Sequence, residues 1–468
     1  MDKKGKSKNS KQSNSGPKEK NNASKGKKNS KKQKTNKKND EAVGDGASVA
    51  DLSDSAESRN LAYVITHVDH RTFGEFLSQP TPIIFKILSY LPHGDLQNCA
   101  RVCRNWQSLV PTILEKRFSY EWFYAGSSAT DLKCLPERFA KFSQEIKIAP
   151  QLILGFEPTE AKFPTCSTCL ALNRPDAEKQ KGQKQERCRC IKNDFEKIYQ
   201  SAFPKTPAGS FRITSYGVIS SYLGQFHTLY TTEDNDFNQT TLLFPNCEGL
   251  EISSHLFRQV ELNNLTKHAL TKILTGHDHA VKAVLIYVTD SSLSNYSLMN
   301  NGYSLAKHTA SILRQKQKTP AVSMGGGVVK KIRDTMKPNV SYQAAMFIFR
   351  GAKVSAYSTV IKEKEASEIA TTIKNVSEKI KSMPGRKLCF MTECIDRQSL
   401  YVSDNMDLVC NLESRTLNRF LPGIPIFGFW SAGEIGFTTH DETLENEEGR
   451  VKVAHTFATS FLFLILED

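Results

Sequence analysis

The sequence lacks the features that mark membrane-spanning and secreted proteins. No apolar run approaches the roughly 20 residues needed to span a bilayer, and the stretch Phe461–Leu466 is far too short. The lysine-rich start has no apolar run behind it, so we expect no secretory signal. The 11 cysteines are an odd number, which favours reduced thiols inside a cell over a fully paired set of disulfides. We therefore expect a protein of the nucleus and cytoplasm that does not contact membranes.

Signatures of the common enzyme classes are missing as well. The sequence has no Gly-x-Ser-x-Gly elbow, no Walker loop, no His-Glu-x-x-His and no kinase signature. A zinc-binding ligase of the RING type would need a full ladder of Cys and His pairs, and the sequence does not supply one. We therefore predict that the chain is not an enzyme, requires no cofactor and acts by binding other molecules.

Acidic residues are scarce at the start of the chain. Residues 1–40 contain 15 lysines against only Asp2, Glu19 and Asp40, so 12 of the 14 excess positive charges lie there. Because residues 1–58 have almost nothing to bury, we predict that they are disordered. Two roles stay open for them: nuclear targeting with weak nucleic-acid contact, or none beyond that of a solvated tail. The near-neutral remainder argues against a folded nucleic-acid-binding surface.

Three short helices are predicted after the tail. The first begins at Pro82, because a proline at the first helical position loses no hydrogen bond. Asp95 is expected to cap the second, and Val102–Trp106 leads into a third that ends near Pro111. A unit this small rarely supplies enough core to stand alone, so it needs a partner surface or a neighbouring domain. The first helix carries apolar residues at i, i+3, i+4 and i+7: Ile84, Ile87, Leu88 and Leu91.

This segment resembles an F-box in the strings Pro82–Leu91, Asp95–Leu96 and Ala100–Trp106. The resemblance implies that the helices pack on the Skp adaptor, which in turn docks on a cullin scaffold. The alternative is that they only cap the following domain. The residues implied to supply the contact surface and the small core beneath it are Pro82, Ile84, Ile87, Leu88, Leu91, Leu96, Val102, Cys103 and Trp106.

Beyond residue 132 the pattern changes to short apolar runs separated by polar turns. Runs such as Ile146–Ile148, Val281–Val288 and Leu388–Met391 have lengths typical of strands. Between two such runs, Ile361–Ile380 carries a helical apolar stripe with Lys and Glu opposite, which predicts an amphipathic helix covering a sheet. A mixed α and β domain of some 320 residues is therefore expected.

Three strings in this region, Leu243–Ile252, Met324–Gly327 and Ile424–Gly436, resemble the FIST domain. An F-box directly ahead of a FIST domain is the arrangement of the F-box only protein 22 family, and the resemblance covers roughly residues 75–466. The lysine-rich tail and a Cys-rich insert at 160–192 are not part of that pattern.

The predicted fold class is α+β. A disordered basic tail at 1–58 precedes a three-helix F-box at 75–122 and a large mixed α/β FIST-type domain with several sheets at 140–466. The resemblance implies a substrate-recognition subunit of a Skp-cullin-F-box ubiquitin ligase that promotes degradation of protein substrates. The alternatives are a FIST-type small-ligand sensor that does not assemble with a ligase, and a nuclear or RNA-associated protein driven by the tail.

A ligand or substrate pocket is a second hypothesis for the large domain. Its candidate residues are Gly325, Gly326, Gly327, Cys394 and Glu434. Backbone N–H groups of a glycine triplet can approach a ligand, but the spacing matches no phosphate loop, so a structural turn is favoured. Cys394 is either a reactive thiol or an ordinary half-buried cysteine.

Four further cysteines form a candidate structural zinc site: Cys166, Cys169, Cys188 and Cys190. Four thiolates in two pairs can hold zinc, with the intervening polar loop outside the site. The second pair has one intervening residue where two are usual. Free thiols on a polar insertion are therefore the alternative.

Overall fold

The computed structural model describes part of the chain. The described residues lie within one compact unit, Asp69–Asp468. They are 82–117, 120–125, 135–158, 197, 199–201, 206–222, 225–230, 239–290, 296–317, 322–397, 412–439 and 452–467.

Three helices at the start of this part form a helical module, residues 82–117, and six more belong to the sheet domain, residues 120–467. The module helices are α1 (Pro82–Ser89), α2 (His93–Cys99) and α3 (Arg104–Glu115). Those of the sheet domain are α4 (Leu135–Glu145), α5 (Gln259–Asn263), α6 (Lys267–Thr275), α7 (Tyr296–Gln317), α8 (Ala366–Ser382) and α9 (Leu412–Phe420).

The strands of the sheet domain occur in three successive sets of six. The first set is β1 (Glu121–Ala125), β2 (Pro150–Pro158), β3 (Gly209–Ser215), β4 (Gly217–Tyr222), β5 (Gln225–Tyr230) and β6 (Gln239–Pro245). The second is β7 (Glu251–Phe257), β8 (Val281–Thr289), β9 (Ser323–Val329), β10 (Lys331–Asp334), β11 (Lys337–Tyr342) and β12 (Ala344–Arg350). The third is β13 (Val354–Ile361), β14 (Arg386–Cys394), β15 (Ile426–Ser431), β16 (Glu434–Ile435), β17 (Ala454–His455) and β18 (Thr459–Leu466).

These sets are structural repeats that exchange one hairpin each. The three sheets have the orders β1-β6-β2-β3-β10-β11, β17-β16-β9-β8-β12-β7 and β13-β18-β14-β15-β4-β5. In each sheet four strands come from one repeat, with its second and third strands paired in parallel. The remaining two strands are the fourth and fifth of another repeat. Each repeat therefore completes the sheet of a neighbouring one.

Strands at the centre of each sheet bury both faces, which explains their nearly continuous apolar sequences. In β8, Leu285 and Tyr287 belong to a central core shared by all three sheets, whereas Ile286 packs in an outer cluster with α6 and α7. In β14, Phe390 lies in the central core and Met391 in an outer cluster with α8 and α9. One apolar core thus joins the three repeats.

The amphipathic helix predicted over Ile361–Ile380 is confirmed as α8. Its buried face includes the predicted stripe of apolar residues, Ile369, Ile373, Val376 and Ile380. The helix begins five residues later than the predicted segment because Ile361 still belongs to β13.

Several local predictions need correction. The second helix begins at His93, so Asp95 lies inside its first turn and does not cap it. Pro111 does not end α3, which continues to Glu115. Pro111 is exposed, so its missing N–H leaves a carbonyl that water can reach. The apolar run at 146–148 precedes β2 and is not a strand.

Within the described ranges, no helix is both long and apolar enough to cross a membrane. The same part of the chain contains no group of three or more His, Cys, Asp or Glu residues placed to hold a metal ion.

Candidate functional site

The helical module has a small apolar core of its own. Ile84 and Leu88 of α1 and Leu96 of α2 are at most 1% exposed and pack against Val110 and Ile113 of α3. Trp106, Leu91 and Cys99 are half-buried at its edge. These residues hold three short helices together, so only the outward side chains are available to a partner.

An exposed apolar stripe runs along the outside of α1. Ile83, Ile87 and Tyr90 are spaced i, i+4 and i+7 and are 47%, 51% and 67% exposed. Ile83 and Ile87 lie on one face of the helix, and Tyr90 follows directly after its last residue, Ser89. Val102, in the turn between α2 and α3, is 66% exposed. We name these four residues the module surface. Large apolar side chains grouped on so small a unit are typical of a protein-binding site.

Arg117, just beyond α3, ties the end of α1 to the sheet domain. Its Nη2 donates to the backbone oxygens of Ser89 at 2.9 Å and Leu91 at 2.6 Å, and its Nη1 donates to the oxygen of Lys147. Partial burial lowers the pKa of the guanidinium, while the nearby Glu121 acts in the opposite direction. The side chain therefore satisfies helix-end carbonyls that would otherwise lack intrahelical partners.

Two further contacts strengthen this junction. The backbone N–H of His93 donates to the oxygen of Ile146 at 2.6 Å, which joins the module to the segment ahead of β2. The N–H of Lys147 donates to Glu121 Oε1 at 2.9 Å, which fixes that segment to β1. Burial is the main reason that the pKa of Glu121 is raised. The module is therefore attached to the sheet domain by bonds from more than one residue.

The glycine triplet predicted as a turn lies inside strand β9, so that prediction is wrong. A side chain on Gly325 would lie 2.9 Å from Leu462, and one on Gly326 would lie 1.9 Å from the oxygen of Ile286. Gly326 also has a φ of +134°, which L-residues rarely adopt. The triplet is therefore required for close packing of strands within the central sheets.

The third glycine brings together residues from the other FIST-like strings. Gly327 pairs with Glu434 of β16, and a side chain on it would meet Ser431 and Thr392. Cys394 is the last residue of β14 and lies near enough to Glu434 for the carboxyl to influence its thiol. The structure thus gathers Gly327, Cys394 and Glu434 at one place, away from Gly325 and Gly326.

The electrostatics of this cluster oppose a reactive thiol. Cys394 is 3% exposed, and burial, followed by the nearby Glu434 carboxyl, raises the pKa of its thiol. Burial raises the pKa of Glu434 to about 8, although the backbone N–H of Ala458 donates to its Oε2 at 3.2 Å. The neutral thiol is a weak nucleophile. The geometry therefore favours the ordinary buried cysteine over the reactive one.

Known proteins match both the helical module and the chain over most of its length. Residues 78–119, which contain the helical module, match the F-box-like family. F-box only protein 22 of Homo sapiens is 24% identical over 374 residues, and that of Pongo abelii is 23% identical over the same length. Both alignments cover 77% of this chain and 85% of the relative. These matches support the F-box only protein 22 family for this chain.

A solved structure of a cyanuric acid hydrolase is also similar, with 9% sequence identity and a TM-score of 0.33. The similarity covers 74% of this chain and 99% of the hydrolase. The FIST domain itself stays a prediction, because the family match ends at residue 119.

In this chain, the nine residues predicted for the Skp-adaptor interface fall into three groups by burial. Ile84, Leu88 and Leu96 are buried in the module core. Leu91, Cys103 and Trp106 are half-buried. Pro82, Ile87 and Val102 are exposed.

The sequence pattern missed two residues of the module surface, Ile83 and Tyr90. The first helix is apolar on nearly all sides, so a search for one stripe selected the set that contains the core positions. The sequence did contain a signal for these residues, a second apolar stripe at Ile83, Ile87 and Tyr90. A helix with two apolar stripes packs one against its own core and leaves the other for a second surface. The candidate zinc ligands Cys166, Cys169, Cys188 and Cys190 lie outside the described residues.

Proposed function

We propose that this chain is the substrate-recognition subunit of a Skp-cullin-F-box ubiquitin ligase. The helical module would bind the Skp adaptor, the adaptor would dock on the cullin scaffold, and the sheet domain would hold the protein to be degraded. No catalytic step belongs to this chain in the scheme. Its contribution is proximity, because a held substrate presents its lysines to the ubiquitin-charged enzyme at high effective concentration.

The observation that carries this proposal is the module surface on a segment that matches the F-box-like family. The module surface exposes apolar area to water. Covering this area with a partner protein would lower the free energy. The core beneath this surface is already filled by Ile84, Leu88 and other buried residues, so the surface is formed without the partner.

The interface is tested best with exposed residues. Replacing a core residue such as Leu88 would unfold the module and confuse loss of structure with loss of contact. We expect Ile87→Asp with Tyr90→Asp to weaken capture of the Skp adaptor by at least roughly tenfold, because both changes place charges in an apolar contact. The readout is quantitative co-purification from purified components.

Val260→Asp is the matched control, since Val260 is 68% exposed and lies in α5 of the sheet domain. This variant should bind the adaptor as the unchanged protein does. Circular dichroism must show both variants to be folded. If the unchanged protein captures no Skp adaptor, or if the module double variant binds it equally well, the proposal is wrong.

We also propose that the protein occurs in nucleus and cytoplasm and that residues 1–40, with 15 lysines, contribute to nuclear entry. Imaging of a fluorescent fusion with and without these residues tests this. A shift toward the cytoplasm is expected for the shortened chain. An unchanged distribution would leave the segment without a targeting role.

A further inference from the structure

A cavity of about 220 Å³ opens where two repeats meet in the first sheet. There β3 of the first repeat pairs with β10, which belongs to the hairpin contributed by the second repeat. Arg212 of β3 and Lys331 and Arg333 of β10 line it, together with Asp334 and the ring of Tyr199. The wall is therefore mainly cationic and includes an arginine from each repeat.

The two arginines face each other directly across the strands. Arg333 is the register partner of Arg212 in the antiparallel pair. Like charges in this position repel each other and destabilise a sheet. A sequence selected for stability alone would not place them there. The arrangement resembles those sites at which a protein gives up stability for binding.

One carboxylate, that of Glu157 on β2, lies near both guanidinium groups. Its Oε2 forms an ion pair with Arg212, and its Oε1 accepts from Thr214 Oγ1 at 2.9 Å. The same Oε1 is 3.8 Å from Arg333 Nη1, a distance too long for a strong hydrogen bond. Glu157 therefore neutralises Arg212 more fully than it neutralises Arg333.

Arg333 can donate further hydrogen bonds at the cavity. Its side chain is 25% exposed, and its Nε is buried with no hydrogen-bond partner among the described residues. Asp334, the other acid of the wall, uses its Oδ1 to accept from the N–H of Met336 at 2.9 Å. Counting side chains in the wall and beside it, three are cationic and two are anionic.

The cavity is also held in shape by uncharged contacts. The N–H and Oγ1 of Thr335 both donate to the oxygen of Ser210, at 3.0 and 3.1 Å. Tyr199 stacks on Phe139 with 5.2 Å between ring centroids. Burial raises the pKa of the Tyr199 hydroxyl to about 12, so it adds no negative charge at neutral pH. These contacts fix parts of the wall that surrounds the cationic groups.

We propose that this cavity binds an oxyanion, a phosphate or carboxylate group, between Arg333, Arg212 and Lys331. A guanidinium group can donate two parallel hydrogen bonds to two oxygens of a planar carboxylate or a tetrahedral phosphate. An anion here would relieve the repulsion between the facing arginines and give Arg333 a full partner. The group can belong to a free small anion or to an acidic or phosphorylated side chain. The inference does not depend on the proposed adaptor function.

Calorimetric titration of the full chain at low ionic strength tests this site. Inorganic phosphate and a short peptide with one phosphoserine serve as probes. We expect Arg333→Gln to weaken binding roughly tenfold, the effect of losing one charge-assisted contact. Lys337→Gln is the matched control, because Lys337 is exposed on the neighbouring β11 and does not line the cavity.

Each outcome of this titration decides the matter. Binding of inorganic phosphate that depends on Arg333 supports the site and identifies a free anion as its ligand. Binding of the phosphopeptide alone, with the same dependence, supports it and identifies a side-chain anion. Absence of binding by both probes, equal binding to the Arg333 variant, or equal weakening by Lys337→Gln overturns the proposal. Should Arg333→Gln fail to fold, Lys331→Gln takes its place with the same criteria.

Discussion

Individual residues in this chain do different work from what their types suggest. Cys394 looks like a candidate nucleophile, yet it is buried at a strand end beside a carboxyl that is itself protonated at neutral pH. Gly325 and Gly326 were predicted to form a structural turn, yet they lie in a strand and make room for Leu462 and for the backbone of Ile286. In both cases the environment contributed by distant residues decides the role.

The stability of the fold should depend on pH through Glu434. Its folded pKa of about 8 exceeds its ordinary value near 4.5, so the folded state binds this proton more tightly than the unfolded state. The contribution is therefore fully present below pH 4.5 and is lost as pH rises through 8. Between about pH 6.5 and pH 8 we expect the unchanged protein to lose about 2 kcal/mol relative to Glu434→Gln.

Urea unfolding of both proteins at these two pH values measures the difference. His255 and His455, whose pKa values are lowered to about 4 by burial, do not obscure it, because both proteins carry them and their effects cancel in the difference. The amide introduced by Glu434→Gln would keep an oxygen for the N–H of Ala458. Parallel pH profiles of the two proteins would contradict a protonated, buried Glu434.

At the scale of elements, the junction between the helical module and the sheet domain is the feature with most consequence for function. In the proposed function, a chain that holds a substrate near an enzyme works best if its two binding units keep a constant relative orientation. Arg117 donates to carbonyls on both sides of the junction, and the His93 N–H bonds to Ile146. We regard Arg117 as a positioning residue.

Arg117→Ala should loosen this junction without removing the module surface. We expect faster hydrogen exchange in α1 and at residues 146–148, since about 2 kcal/mol of charge-assisted bonding is lost there. Binding of the Skp adaptor should persist while ubiquitin transfer to a bound substrate slows. Arg104→Ala, at an exposed arginine of α3, is the control and should change neither quantity. Exchange equal in both variants would show that Arg117 does not hold the junction.

At the scale of the whole molecule, three repeats share one core and exchange hairpins. Phe156 of the first repeat, Tyr287 of the second and Phe429 of the third are in mutual ring contact, with centroids 5.5 to 6.3 Å apart. Because each sheet needs strands from another repeat, none of the three can complete its own sheet alone. The exchange also creates the junction at which the cationic cavity lies.

This interdependence predicts that the sheet domain unfolds in one step. Although it exceeds the usual size for two-state behaviour, a shared core and exchanged hairpins leave no repeat that could remain folded by itself. Calorimetry of the full chain should show one main transition whose van't Hoff and calorimetric enthalpies agree. Resolved transitions for separate repeats would contradict the prediction.

Much of the architecture was predictable from the sequence because it depends on local patterns. The three short helices and the helical stripe of α8 follow from side-chain periodicity, and the strand at Val281–Val288 follows from the length of its apolar run. The F-box resemblance rests on a string of consecutive residues for the same reason. Local patterns were less reliable at element ends, as Asp95 and Pro111 show, since neighbouring elements contribute to where a helix begins and ends.

Only the tertiary structure decided which apolar residues of α1 are core and which are surface, because a helix that is apolar all round carries no signal of its own. It also decided that three repeats exist, since repeats that share strand order need not share residues. Arg212 and Arg333 lie opposite each other although they are more than 100 positions apart in the chain, because their strands pair through an exchanged hairpin. Local sequence determines the elements, whereas pairing between distant strands determines the sites.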